Sequence, residues 1–265
     1  MNMALLKMTL KKNWVLIAIF YGILTMYLSV MISMFDPEEV NKLLEMVEMF
    51  PENLMKAMGF TSIATTLTAY LASWLYGMLM LGLPMVYCII LGNRLVAKMV
   101  DNNSIAYLLS TPNSRSRIII TRGVYAILSL ILLFAAVTAT GVLLSEAIYP
   151  GLLDIAAFIK LNIITAMVNM VVMMISFFFS CLFNEAKYSS LLGAGVPIIF
   201  LLMNMLSGVS DKIEYLKRFT IYGLFDPVGV INGETVWQAQ LIYAAIIAVL
   251  FSSAVLIFNK KRLPI

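Results

Sequence analysis

The chain has 265 residues, 62% of them apolar and 12% charged, with a mean hydropathy of +0.96. A soluble domain is nearer half apolar and about a quarter charged, so that class is excluded and most of the chain must face lipid or other lipid-facing helices. The net charge of +4 and the pI near 9.0 take their meaning from where the charges fall.

Charged residues bound six uncharged stretches, 13–35, 57–93, 123–145, 161–184, 188–210 and 235–259. A helix needs about 20 apolar residues to cross the hydrocarbon core. Six spans are therefore predicted, near 14–34, 70–92, 123–145, 161–183, 189–209 and 237–258, in a single domain over 1–265. The expected fold class is all-α, a polytopic membrane protein with short amphipathic helices on both surfaces. Six spans put both termini on one side. If that side is cytoplasmic it holds 12 basic and 2 acidic residues (+10), and the other side holds 6 and 12 (−6), which sum to +4. Lys and Arg favour the cytoplasmic side. The expected orientation is N-in and C-in in the cell membrane, and a basic inner rim accounts for the pI without nucleic acid.

Residues 1–13 alternate Leu5, Leu6, Met8 and Leu10 with Lys7, Lys11 and Lys12. This suits a helix lying on the inner surface or a positive flank that orients the first span. The first apolar run is about twice the length of a signal-peptide core and has no small-residue cleavage site before Asp36, so it reads as a retained helix. In the outer loop, Asp36-Pro37-Glu38-Glu39 is a helix start. Val40, Leu43, Leu44 and Val47 then form one apolar stripe, and Pro51 opens a second short helix. These outer helices, 36–58, are expected to rest on the outer membrane surface or on the other outer loops, or to cap a cargo site.

The second stretch is longer than one span needs, so its first dozen residues are expected outside the bilayer. Gly82 and Pro84 in the second span, and Gly193, Gly195 and Pro197 in the fifth, predict kinks. The fourth span carries Asn162, Thr165, Asn169 and Ser176 on one face. They are either hydrogen-bonding glue between helices, at roughly 0.6–2 kcal/mol each, or the polar lining of a cargo path or dimer seam. Cys88 and Cys181 fall near inner span ends, where a disulfide is not expected. The last outer segment, 211–236, mixes charges with interfacial aromatics and ends in Phe225-Asp226-Pro227-Val228-Gly229. Lys260-Lys261-Arg262 closes the sixth span as a stop-transfer flank.

The chain has no histidine. This excludes histidine-based hydrolysis and His-ligated zinc proteases. It has no G-x-x-x-x-G-K-[ST] and so no P-loop ATP site. No Asp, Glu, Lys or Arg lies inside a predicted span, where ion-coupled carriers usually keep one. No enzyme activity is expected, and no metal or cofactor is expected on this chain.

The loop from Gly92 to Arg122 is the longest basic, weakly apolar inner segment. Asp101-Asn102-Asn103-Ser104 is a dense helix-cap signal. Ser104 to Ser110 then reads as a short helix with Ile105, Leu108 and Leu109 on one face, stopped by Pro112 and followed by Arg115, Arg117 and Arg122. It is either an anchored loop with inner-leaflet arginines or a docking peg for a soluble partner.

The order of elements, with Tyr107-Leu108-Leu109-Ser110-Thr111-Pro112-Asn113-Ser114-Arg115 in that loop and Phe225-Asp226-Pro227 before the last span, resembles the type-2 ABC transporter permeases. Asp101 stands where that family has an acidic pair, and Asn103-Ser104 replaces its Gly-Thr. The resemblance implies a permease subunit of an ATP-driven exporter. It would pair as a homo- or heterodimer and be energised by separate cytoplasmic ATPase subunits that carry ATP and Mg. The segment Asp101, Ser104, Ile105, Leu108, Leu109, Pro112 and Arg115 would be the ATPase-coupling loop. The cargo would be an amphipathic or hydrophobic peptide toxin, antimicrobial or drug. The methionine-rich, histidine-free form is similar to the Gram-positive exporters of antimicrobial peptides and phenol-soluble modulins. An ion-coupled carrier and a non-transporting immunity or sensor protein are the alternatives.

Overall fold

Each uncharged stretch lies within or overlaps a long helix, and several of those helices run past their charged borders. The computed structural model describes residues 2–36, 66–110, 114–208, 211–233 and 236–261. Among them there is no strand, and six helices are long and apolar enough to cross a membrane. The outer helices expected over 37–58 lie outside the described residues.

Helix α1, Met3–Met34, is unbroken, and the side chain of Asn2 accepts from the backbone N–H groups of Ala4 and Leu5 at its start. Residues 3–12 are thus the first turns of the crossing helix and do not form a separate surface helix. No Gly or Pro interrupts the helix before Gly22. At 1.5 Å per residue it is about 48 Å long, more than the roughly 30 Å hydrocarbon core, so the lysines need not enter lipid.

The second crossing is assembled from pieces. Thr66 caps α2, Leu67–Tyr70, by accepting from the Ala69 N–H at 3.2 Å. A π turn, Leu71–Leu75, follows. Then come α3, Leu79–Leu95, and α4, Ala97–Asp101, separated by a break at Val96. The long apolar helix is Leu79–Asp101, displaced from the expected 70–92. Leu67, Tyr70, Leu71 and Tyr76 before it are buried. Hydropathy registers their apolar surface but not the breaks in the hydrogen-bond ladder.

After α5, Ser104–Leu109, the next three crossings are α6, Arg115–Ile148, α7, Ile155–Leu182, and α8, Ala186–Ser207. Two 3-10 segments, Asp211–Phe219 and Ile221–Leu224, lead to α9, Pro227–Ile231, and α10, Trp237–Lys260. The Asp226 carboxylate accepts from the N–H groups of Val228 and Gly229, both at 3.1 Å. With Pro227 at the first helical position, Phe225-Asp226-Pro227 is a helix start.

Helix α7 is the hub and packs against α3, α6, α8 and α10, while α1 packs on α6. It is the most buried of the six crossings, and α8 and α10 are the least buried. Close approach is set by small residues. A Cβ at Gly92 of α3 would lie 2.6 Å from the Ser176 Cβ, and one at Gly193 of α8 would lie 3.3 Å from the Ser176 Cα. Three helices therefore meet at Ser176.

The two in-helix prolines are matched to this hub. Proline has no N–H, so the carbonyl four residues earlier loses its helical donor. Pro84 frees Met80, and the Asn169 Nδ2 donates to the Met80 carbonyl at 3.2 Å. Pro197 frees Gly193, and the Ser176 Oγ donates to the Gly193 carbonyl at 2.7 Å. Cys88 and Cys181 are free and buried.

Candidate functional site

The loop between α3 and α6 lies at the same end of the bundle as the N-terminus. Asp101 is the last residue of α4 and does not cap the next helix. Asn102 does that work: its Oδ1 accepts from the Ser104 backbone N–H at 3.2 Å and the Ser104 hydroxyl at 2.6 Å. Asn103 takes a left-handed turn, φ 56°, a conformation that Asn tolerates better than most residues. Helix α5 is six residues, Ser104–Leu109, about 9 Å long. Ile105 is buried, Leu108 is half-buried, and Asp101 is exposed. Tyr107 is 81% exposed, the most exposed large apolar side chain among the described residues. Pro112 lies outside the described residues.

Both arms of this loop are fastened. On the upstream side the break at Val96 leaves the Ala97 N–H without a helical partner, and it donates to the Ser180 Oγ of α7 at 2.7 Å. The Asn93 Nδ2 donates to the Ser190 Oγ of α8. On the downstream side Arg115 donates to the Lys261 carbonyl at 2.9 Å, and the Ser116 hydroxyl donates to the Asn259 Oδ1 at 2.9 Å. The Lys261 Nζ in turn donates to the carbonyls of Cys181 (3.0 Å) and Phe183 (2.6 Å) at the end of α7. A cation there complements the negative end of the helix dipole. Burial lowers the Lys261 ammonium to about 8, against the opposing effect of the Cys181 thiol.

The family model of the ABC-2 family transporter proteins matches residues 6–263. The chain belongs to that family. It is a multi-pass protein of the cell membrane and the membrane subunit of an ABC transporter, a class that works with ATPase subunits. The comparison with curated proteins gives no match.

In this ABC-2 protein the polar face of α7 lies inside the chain, and each of its members is hydrogen-bonded there. The Tyr76 hydroxyl donates to the Asn162 Oδ1 at 2.8 Å, and the Asn162 Nδ2 donates to the Phe158 carbonyl at 2.9 Å. Thr165 donates to the Leu161 carbonyl at 2.6 Å. Asn169 and Ser176 hold the Met80 and Gly193 carbonyls, as described above. Asn162 also lines an apolar groove of about 900 Å³ between α6 and α7. Asn162 and Ser176 are brought to different neighbours, α2–α3 and α8, although they share one stripe.

Sequence reasoning missed four residues of this ABC-2 protein. Tyr107 stands inside the quoted motif, but an apolar-face argument favours its leucine neighbours. Asn102 is one of four adjacent cap candidates. Ser180 lies four residues beyond Ser176, just past the polar stripe that Ser176 ends. Lys261 is indistinguishable in sequence from the charges flanking any sixth span. Among the described residues no group of three His, Cys, Asp or Glu could hold a metal.

Proposed function

We propose that this chain is the permease of an ABC exporter, oriented N-in and C-in, with the α4–α5 loop as the docking element for a cytoplasmic ATPase that carries ATP and Mg. The whole chain acts as one permease domain and has no catalytic residues of its own. It pairs with a second permease copy, and the pair moves an amphipathic or hydrophobic cargo of the peptide toxin, antimicrobial or drug class.

One observation carries the docking assignment. Helix α5 buries Ile105 toward the bundle and turns Tyr107 outward, so an aromatic anchor stands exposed on a short helical peg. Exposed aromatics of this kind dominate protein interfaces. The basic count on the N-terminal side supports the orientation, and the apolar groove between α6 and α7 suits a lipophilic cargo.

The test is the partner set retained after gentle detergent extraction. Wild type is expected to bring down an ATPase. Tyr107→Asp and Leu108→Asp are expected to lose it, by about 2 kcal/mol or more, roughly thirtyfold in affinity, with the spans still folded. An ATPase retained undiminished by both variants would show that α5 is not the dock.

A further inference from the structure

The inner end of α7 is where the two arms of the α4–α5 loop come together. The upstream arm reaches Ser180 through the Ala97 N–H at 2.7 Å. The downstream arm reaches the Cys181 and Phe183 carbonyls through Arg115 and Lys261. Ser116 and Asn259 brace the second route. The loop is thus tied at both ends to one short stretch of the most buried helix.

We propose that Ser180–Phe183 at the end of α7 receives the displacement of the docking loop, with Lys261 as the positioning residue that transmits it from Arg115. The proposal rests on the reading of that loop as an ATPase dock. Lys261 is suited to the part because its two ends do different things. Its carbonyl accepts from Arg115 at the loop's downstream edge, while its ammonium grips the two carbonyls at the α7 end. A push on Arg115 therefore moves α10 and the end of α7 together. Through Ser180 a push on α4 reaches the same place. Just beyond lies the short α7–α8 turn, with Ser190 of α8 held by Asn93, so the fifth span follows. Motion arriving at α7 from both sides moves the hub instead of bending the second and third spans alone, which is how bistable helix packings amplify small shifts.

Hydrogen exchange on the permease–ATPase complex, with and without Mg·ATP and orthovanadate, tests this. In wild type the trapped state is expected to change exchange at 104–118 and at 176–190 together. In Lys261→Met with Ser180→Ala, the change at 104–118 is expected to persist and that at 176–190 to fall roughly tenfold, a local-opening effect. Lys261→Arg, which can still donate to both carbonyls, is expected to restore it. If the double variant does not fold, Lys261→Met alone carries the comparison. An undiminished response at 176–190 without the links would overturn the proposal. A wild-type complex with no response at 104–118 would instead overturn the docking reading, and this inference with it.

Discussion

Asn169 of the fourth span donates its side-chain N–H to the carbonyl of Met80, the one backbone acceptor that Pro84 deprives of its helical donor. A buried carbonyl without a partner costs about 1–3 kcal/mol. Asn169→Leu is therefore expected to destabilise the protein by about that much, read as a lower melting temperature in detergent. The cost should shrink in a Pro84→Ala background, where residue 84 regains an N–H. A double-mutant cycle should show coupling of at least about 0.5 kcal/mol. Strictly additive losses would mean that the amide is not serving the proline gap. Ser176→Ala with Pro197→Ala is the matching cycle for the fifth span.

Gly92 is expected to tolerate no side chain. An added Cβ would lie 2.6 Å from the Ser176 Cβ and 3.1 Å from the Phe177 backbone nitrogen. Gly92→Ala must push α3 from α7, an overpacking cost of about 1–3 kcal/mol. Gly82, with open space around it, is the control, and Gly82→Ala should leave the melting temperature nearly unchanged or raise it. Equal effects at the two positions would refute the close approach.

Arg122 is 5% exposed, and its Nε has no hydrogen-bond partner. A buried polar atom without a partner is a cost that an apolar side chain of similar volume removes. Arg122→Met is expected to leave stability unchanged or raise it, by up to about 1–3 kcal/mol. A marked fall in melting temperature would show that the guanidinium holds the inner ends of the spans together.

Lys261 carries a pH signature. Its ammonium is lowered to about 8 from 10.5 by burial. Between those values the unfolded chain keeps a proton that the folded chain has released, so the contribution of this residue to stability rises with pH across that window. Comparing thermal unfolding of wild type and Lys261→Met on either side of the window isolates the effect. The variant should lack part of the rise, and identical slopes would contradict the lowered value.

Much of the fold was legible in the sequence because lipid leaves a strong compositional trace. Uncharged stretches give the six crossings, but charge marks where a helix leaves hydrocarbon and not where it stops. This is why α1 begins at Met3 and α6 at Arg115. The π turn at Leu71–Leu75 and the break at Val96 left no such trace, since their residues are as apolar as their neighbours, and at Val96 the freed Ala97 N–H is taken up by Ser180. The loop was visible as a cap signal followed by a short apolar helix. Which of its side chains faces outward was not, because a six-residue helix offers too few turns for periodicity to separate Tyr107 from Leu108. The partners of the α7 stripe were equally hidden. Spacing shows that Asn169 and Ser176 share a face, but their acceptors belong to helices some 90 and 17 residues away.

The two donors that fill the proline gaps stand on one rigid helix, about two turns apart. A slip of α7 by a single residue would turn that face by about 100° and unseat both at once. The bends of the second and fifth spans are therefore ganged like two wards turned by one key, and neither can be reset while the other stays locked.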